Sequence, residues 1–167
     1  MTWGMPTSIF LEIHIILSLI GIASGLVVFY GLVGLTSRRY PLITALFLAT
    51  TILTSVTGFP LAPFGFDPPR AVGILSLVLL AAAVTARYAF DLRGSWRWIY
   101  VATGVAALYL NVFVAIVQSF QKIPFFNSLA PTQTELPFVI AQGIVLGLFG
   151  AFGLAATIIF RPEPRAS

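Results

Sequence analysis

Five apolar stretches of about 20 residues or more follow one another along the chain with short interruptions, and nothing else in the sequence constrains the fold as strongly. They run over about 8–35, 41–60, 71–90, 96–120 and 137–160. Wound as a helix rising ~1.5 Å per residue, such a stretch spans the ~30 Å hydrocarbon core of a bilayer. In lipid each backbone polar group must bond within the protein, so helix is the economical choice for every span. Pro41 and Pro137 stand at helix starts, where a missing N–H costs nothing, and no proline falls mid-span. The expected fold is an all-α integral membrane protein, a five-transmembrane-helix bundle in a single domain over residues 1–167. Charge agrees: only 8% of the 167 residues are charged and mean hydropathy is +1.01, against about 25% charged in a soluble domain.

Basic residues predict the direction of insertion. Arg38, Arg39, Arg87, Arg93, Arg97, Arg161 and Arg165 lie on one side, and only Arg70 and Lys122 on the other. The positive side is cytoplasmic by this rule, so the N-terminus is expected outside and the C-terminus inside. Trp3 then marks the outer interface, and Trp96 and Trp98 the inner one. Arg87 falls within the third span near its inner end, within reach of the headgroups. The opening residues MTWGMPTS carry no basic residue, so the first apolar stretch is read as retained, not as a cleaved signal. The net charge of +4 comes from basic residues scattered at span ends with no basic stripe, which argues against nucleic acid.

Two loops hold most of the material expected outside the membrane. TGFPLAPFGFDPPR joins spans two and three, and KIPFFNSLAPTQTELPF joins spans four and five. Their prolines reduce loop entropy and would pre-shape a lid or a docking surface. Phe64, Phe66, Asp67 and Arg70 in the first, with Phe125 and Phe126 in the second, are the docking candidates. Asp67 and Arg70 bracket two prolines and suggest a local ion pair where the chain re-enters the membrane. The plainer alternative is a stiff turn whose phenylalanines dip into lipid.

The polar residues of the spans gather in the half beneath these loops, with Glu12 and His14 at or just outside the outer edge of the hydrocarbon. Glu12, His14, Asn111, Gln118 and Gln142 are the candidate ligand-binding residues, with Thr54, Ser55 and Thr57 at similar depth. His14, Ser18, Gly21 and Gly25 share one helix face, whereas Glu12 diverges from His14 by about 200°. Gly104, Asn111 and Gln118 form a second stripe, and Gly143, Gly147 and Gly150 a smooth third one. Small-xxx-small spacing marks close helix contact, so spans one, four and five are expected to pack through these faces and turn His14, Asn111, Gln118 and Gln142 toward a shared interior. Each has a structural alternative. Asn111 and Gln118 could simply bond between helices, worth about 0.6 kcal/mol. The hydroxyls of span two could bond back to their own helix.

The chain has no cysteine and one histidine, which excludes disulfides, thiolate chemistry and a multi-histidine metal site within one chain. A haem on His14 would need a second axial ligand, from Met1, Met5 or another copy, or an open position. No Ser-His-Asp set, phosphate loop or HExxH motif is present, and no catalytic residue or cofactor is assigned.

The phrases TGFPLAPFGFDPPR, WRWIYVATGVAALYLNVFVAIVQSF and APTQTELPF resemble a widespread group of small bacterial inner-membrane proteins without a known activity. The resemblance spans most of the chain. It implies a bacterial inner-membrane location and carries no chemistry. Length and five spans also resemble the translocator-protein family, which binds porphyrins and sterols, but its tryptophan-rich motifs are missing and the likeness is architectural. The sequence therefore leads to a binding or accessory protein with an outward-facing pocket or docking surface, for a lipophilic molecule (quinone, lipid or tetrapyrrole) or a membrane protein complex. A small oligomeric transporter or channel is the alternative, and a haem-dependent redox subunit a third reading. The bilayer is the first partner, and association between copies is compatible with the sequence.

Overall fold

The computed structural model describes residues 1–33, 40–61 and 68–160. Its helices are α1 (Thr7–Leu32), α2 (Pro41–Gly58), α3 (Pro68–Val84), α4 (Trp96–Lys122), α5 (Pro124–Leu129) and α6 (Leu136–Ile159). A π-helical turn, Thr85–Ala89, extends α3, so the third span is not uniformly α-helical. Five helices, counting α3 with its π turn as one, are long and apolar enough to cross a membrane. The chain is a multi-pass helical membrane protein. Proline occupies the first turn of α2, α5 and α6, as the sequence leads one to expect. The loop between the fourth and fifth spans is largely ordered by α5, whose Asn127 Nδ2 donates to the Phe120 carbonyl at 3.1 Å.

Helices α1 to α4 form the core. The most extensive packing is α1 on α2, followed by α3 on α4, α4 on α6 and α2 on α3, with α1 also against α4. Phe47, Leu80, Val101 and Leu108 interlock at its centre, all fully buried. Gly25 permits this. A Cβ there would stand 2.7 Å from Leu108 Cδ1 and 2.9 Å from the Phe47 ring, so α1 reaches its neighbours only because the side chain is missing. Large aliphatic side chains such as Ile16, Leu19, Leu75, Val78, Leu146 and Leu154 point outward, as a lipid solvent requires.

The fifth span departs from expectation. Helix α6 lies at the margin, chiefly against α4, and Ala156 is its only buried residue. A Cβ on Gly143, Gly147 or Gly150 would meet nothing within 4 Å. The smooth stripe therefore faces away from the bundle, and spans one, four and five do not close on one another through it. Helix α6 meets α4 through Gly153 instead, where a Cβ would sit 3.1 Å from Val105. Spacing identified a small face, but only the fold decides what stands opposite it.

The end of the bundle bearing the π turn is closed by aromatics and arginines. Phe90 stacks on Trp96 at 4.0 Å, and the Arg87 guanidinium lies 5.7 Å from the rings of both Tyr88 and Tyr100. Arg87 therefore packs on aromatic faces and does not simply reach outward. An Arg97 Nη1 group donates to the Phe160 carbonyl, tying the start of α4 to the end of α6.

Candidate functional site

A cleft of about 100 Å³ lies between α1, α2, α3 and α4 at the opposite end of the bundle. Each helix contributes side chains one turn apart: His14 and Ser18; Thr51, Thr54, Ser55 and Gly58; Arg70, Gly73 and Ser76; Leu110, Asn111 and Val114. Helical periodicity aligns these sets along one face of each helix. One turn deeper the wall becomes apolar, because Phe47 precedes Thr51, Leu80 follows Ser76 and Leu108 precedes Asn111. The cleft therefore ends on a packed hydrocarbon floor.

Hydrogen bonds fix most of its polar atoms. Ser18 Oγ donates to Asn111 Oδ1 at 2.8 Å, joining α1 to α4. His14 Nδ1 lies 2.9 Å from Thr57 Oγ1, joining α1 to α2. Thr57 itself donates to the Leu53 carbonyl at 2.7 Å. With its single proton given to that carbonyl, the Thr57 hydroxyl accepts from the His14 Nδ1–H tautomer. Thr50 and Ser55 also bond back to carbonyls four residues earlier, as expected of span two. Arg70 Nη2 donates to the carbonyls of Phe59 and Leu61 at 3.2 and 3.0 Å, binding the start of α3 to the end of α2.

Among the described residues three polar groups on the cleft wall have no partner: Thr51 Oγ1, Thr54 Oγ1 and Asn111 Nδ2. Thr51 is 1% exposed and Asn111 8%. Buried polar groups are paired in the great majority of cases, and an unpaired one costs about 1–3 kcal/mol. Three such groups lie on residues that line one cavity.

Of the sequence candidates, His14 and Asn111 line this cleft, with Arg70 beside them. The others go elsewhere. Glu12 is exposed, because the 200° rotation from His14 carries it off the packed face. Gln118 joins a chain of amides through Gln121 to Gln133, each link 3.5 Å, because the α4 stripe drifts away from α1 toward its end. Gln142 Nε2 donates to the Phe113 carbonyl at 3.2 Å in the separate α4–α6 groove, leaving its Oε1 buried and unpartnered. Phe125 is 67% exposed, and Phe126 packs on Phe120 with ring centroids 5.3 Å apart, so neither reaches the cleft. Phe64, Phe66 and Asp67, with the proposed Asp67–Arg70 pair, lie outside the described residues. Thr51 and Ser76 are cleft residues that sequence reading missed. Their signal was faint: Thr51, Thr54 and Gly58 recur at helical spacing, as do Gly73 and Ser76.

Among the described residues no group of three His, Asp or Glu side chains converges on a point that could hold a metal. The cleft is also well below the ~300 Å³ at which pockets for whole drug-sized ligands begin, so a tetrapyrrole does not fit it. It suits a small molecule or the end group of a longer one. No protein-family model, curated protein or solved structure matches the chain, so the functional reading rests on this geometry.

Proposed function

We propose that the protein is a small membrane-embedded binding protein that holds a small polar molecule, or the polar end of a lipophilic one, in the cleft between α1 and α4. The observation that carries this reading is the group of three unpartnered donors, Thr51, Thr54 and Asn111, around a cavity already formed by four helices. A pre-formed, mostly apolar cleft with a few convergent polar groups is the usual form of a ligand site. The fully buried layer of Phe47, Leu80 and Leu108 beneath it supports binding over transport, since a transport path needs polar groups through the full depth. The reading places the chain in a bacterial inner membrane with the cleft opening on the outer side, supported by the distribution of arginines.

Native mass spectrometry of the protein in mild detergent tests the proposal. Retained mass on the 18.0 kDa chain, lost on Asn111→Leu and kept on the cleft-remote Gln142→Leu, is the expected result. A bare wild-type chain, tested after extraction directly from the membrane into lipid nanodiscs, would refute it.

A further inference from the structure

The hydrogen-bond arrangement of the cleft specifies the chemistry of what it takes, provided that the cleft is a binding site as proposed above. Ser18 occupies Asn111 Oδ1, so the amide is oriented with its Nδ2 and two N–H donors unspent. Thr51 Oγ1, buried and likewise unpartnered among the described residues, belongs to a residue of the same cleft wall. A point one bond out from Gly21, where a Cβ would stand, is 3.0 Å from Thr51 Oγ1 and 3.2 Å from Asn111 Nδ2. Gly21 thus brings α1 close against both unpaired groups, which lie near each other, and Thr54 lies about one turn further along α2. Among the described residues the cleft wall contains no carboxylate, and its one cationic side chain, Arg70, donates to the Phe59 and Leu61 carbonyls.

These conditions separate ligand classes. An ammonium would bury a full charge with no anion on the described wall to compensate it. A carboxylate would have to be desolvated where the wall's Arg70 already donates to two carbonyls, and a buried charge needs a dedicated partner. A purely apolar group would leave the three donors unpaired. A carbonyl oxygen pairs two of the three groups, because its two lone pairs accept from Thr51 O–H and Asn111 N–H without any charge being buried. In the tautomer that gives Nδ1–H to Thr57, His14 Nε2 adds one acceptor. We infer that the cleft recognises an uncharged carbonyl group, held by Thr51 and Asn111, on a lipophilic molecule whose apolar remainder extends beyond the cleft.

The test uses four probes of matched chain length: 2-undecanone, undecanoate, undecylamine and undecane. Each is offered to the full chain in lipid nanodiscs at one lipid concentration, and occupancy is read by native mass spectrometry. The ketone should exceed the amine and the alkane by about 10-fold. It should lose about 3- to 10-fold on Thr51→Val and again on Asn111→Leu, the range for one neutral hydrogen bond. The infrared stretch of carbonyl-labelled 2-undecanone should move to lower frequency on binding and return on Thr51→Val, a signature that a folding defect would not imitate. Gly73→Leu fills the cleft and should abolish all binding; a Cβ there meets only the Phe59 ring and the Ser55 carbonyl at ordinary contact distances. If undecanoate or undecylamine binds as well as the ketone and Gly73→Leu still blocks it, the carbonyl inference fails while the cleft remains a binding site. If Gly73→Leu leaves ketone binding intact, or no probe binds, both fail.

Discussion

Replacing Gly25 by alanine should destabilise the protein, whereas the same change at Gly147 should not, although both glycines stand in the same small-xxx-small pattern. A methyl on Gly25 would fall 2.7 Å from Leu108 Cδ1 and 2.9 Å from two atoms of the Phe47 ring, about an ångström inside comfortable contact. The leucine methyl could swing aside in an open site, but Leu108 is fully buried and Phe47 is rigid and boxed in by the same layer. Either α1 moves away from α2 and α4 or the rings leave their rotamers. Overpacking of this kind costs about 1–3 kcal/mol. At Gly147 a methyl meets nothing within 4 Å. There the better helix propensity of alanine contributes up to about 1 kcal/mol of stabilisation in water, and less in lipid. The assay is thermal aggregation of each variant in one detergent, followed by size-exclusion chromatography. Gly25→Ala should lower the midpoint by several degrees, and Gly147→Ala should leave it unchanged or raise it slightly. Equal losses at both positions would refute the reasoning, for they would mean that the α6 stripe is packed against something in the native assembly.

Other predictions are direct. Arg70→Gln removes the charged donor that ties Phe59 and Leu61 to α3 and should cost about 1.5–3 kcal/mol, read as a lower thermal midpoint; an unchanged midpoint would show that the strap is dispensable. The chain has no cysteine, so a single cysteine at Thr2 or Ser128 can be labelled in intact cells with an impermeant maleimide, and both should react from outside. Desolvation pushes the Glu135 carboxyl up, but hydrogen bonds from Thr132 Oγ1 and the backbone N–H groups of Thr132 and Thr134 outweigh it and hold it below its ordinary value. Its folded pKa is depressed, so its contribution is present above the unfolded value and disappears as pH falls through the folded one. Hydrogen exchange in the 130–136 turn should quicken on acidification through that range, and Glu135→Gln should remove the pH dependence.

Hydrophobicity and the placement of proline and arginine were enough to locate five spans, because in lipid the solvent itself dictates helix and length. The boundaries shifted by only a few residues: α1 ends at Leu32, three residues early, and α3 starts at Pro68, three residues early. The one surprise in the spans is the π turn after Val84, which no proline or glycine in that stretch announces. Helical spacing also placed His14, Ser18, Gly21 and Gly25 on one buried face correctly, since 3.6-residue periodicity is local information. The partners of that face were not local information. Nothing in the sequence distinguishes the Gly21–Gly25 pair, wedged against α2 and α4, from the Gly143–Gly147 pair, which meets nothing. Nor could spacing tell that Thr57 bonds back to its own helix while Thr51 and Thr54 do not, or that Asn111 joins Ser18 while Gln118 and Gln142 turn elsewhere. Sequence by itself determined the solvent and the number of spans, because both depend on the chain meeting lipid. The four-helix cleft and its unpaired donors depend on helices distant in sequence meeting one another, and only the tertiary structure decided that.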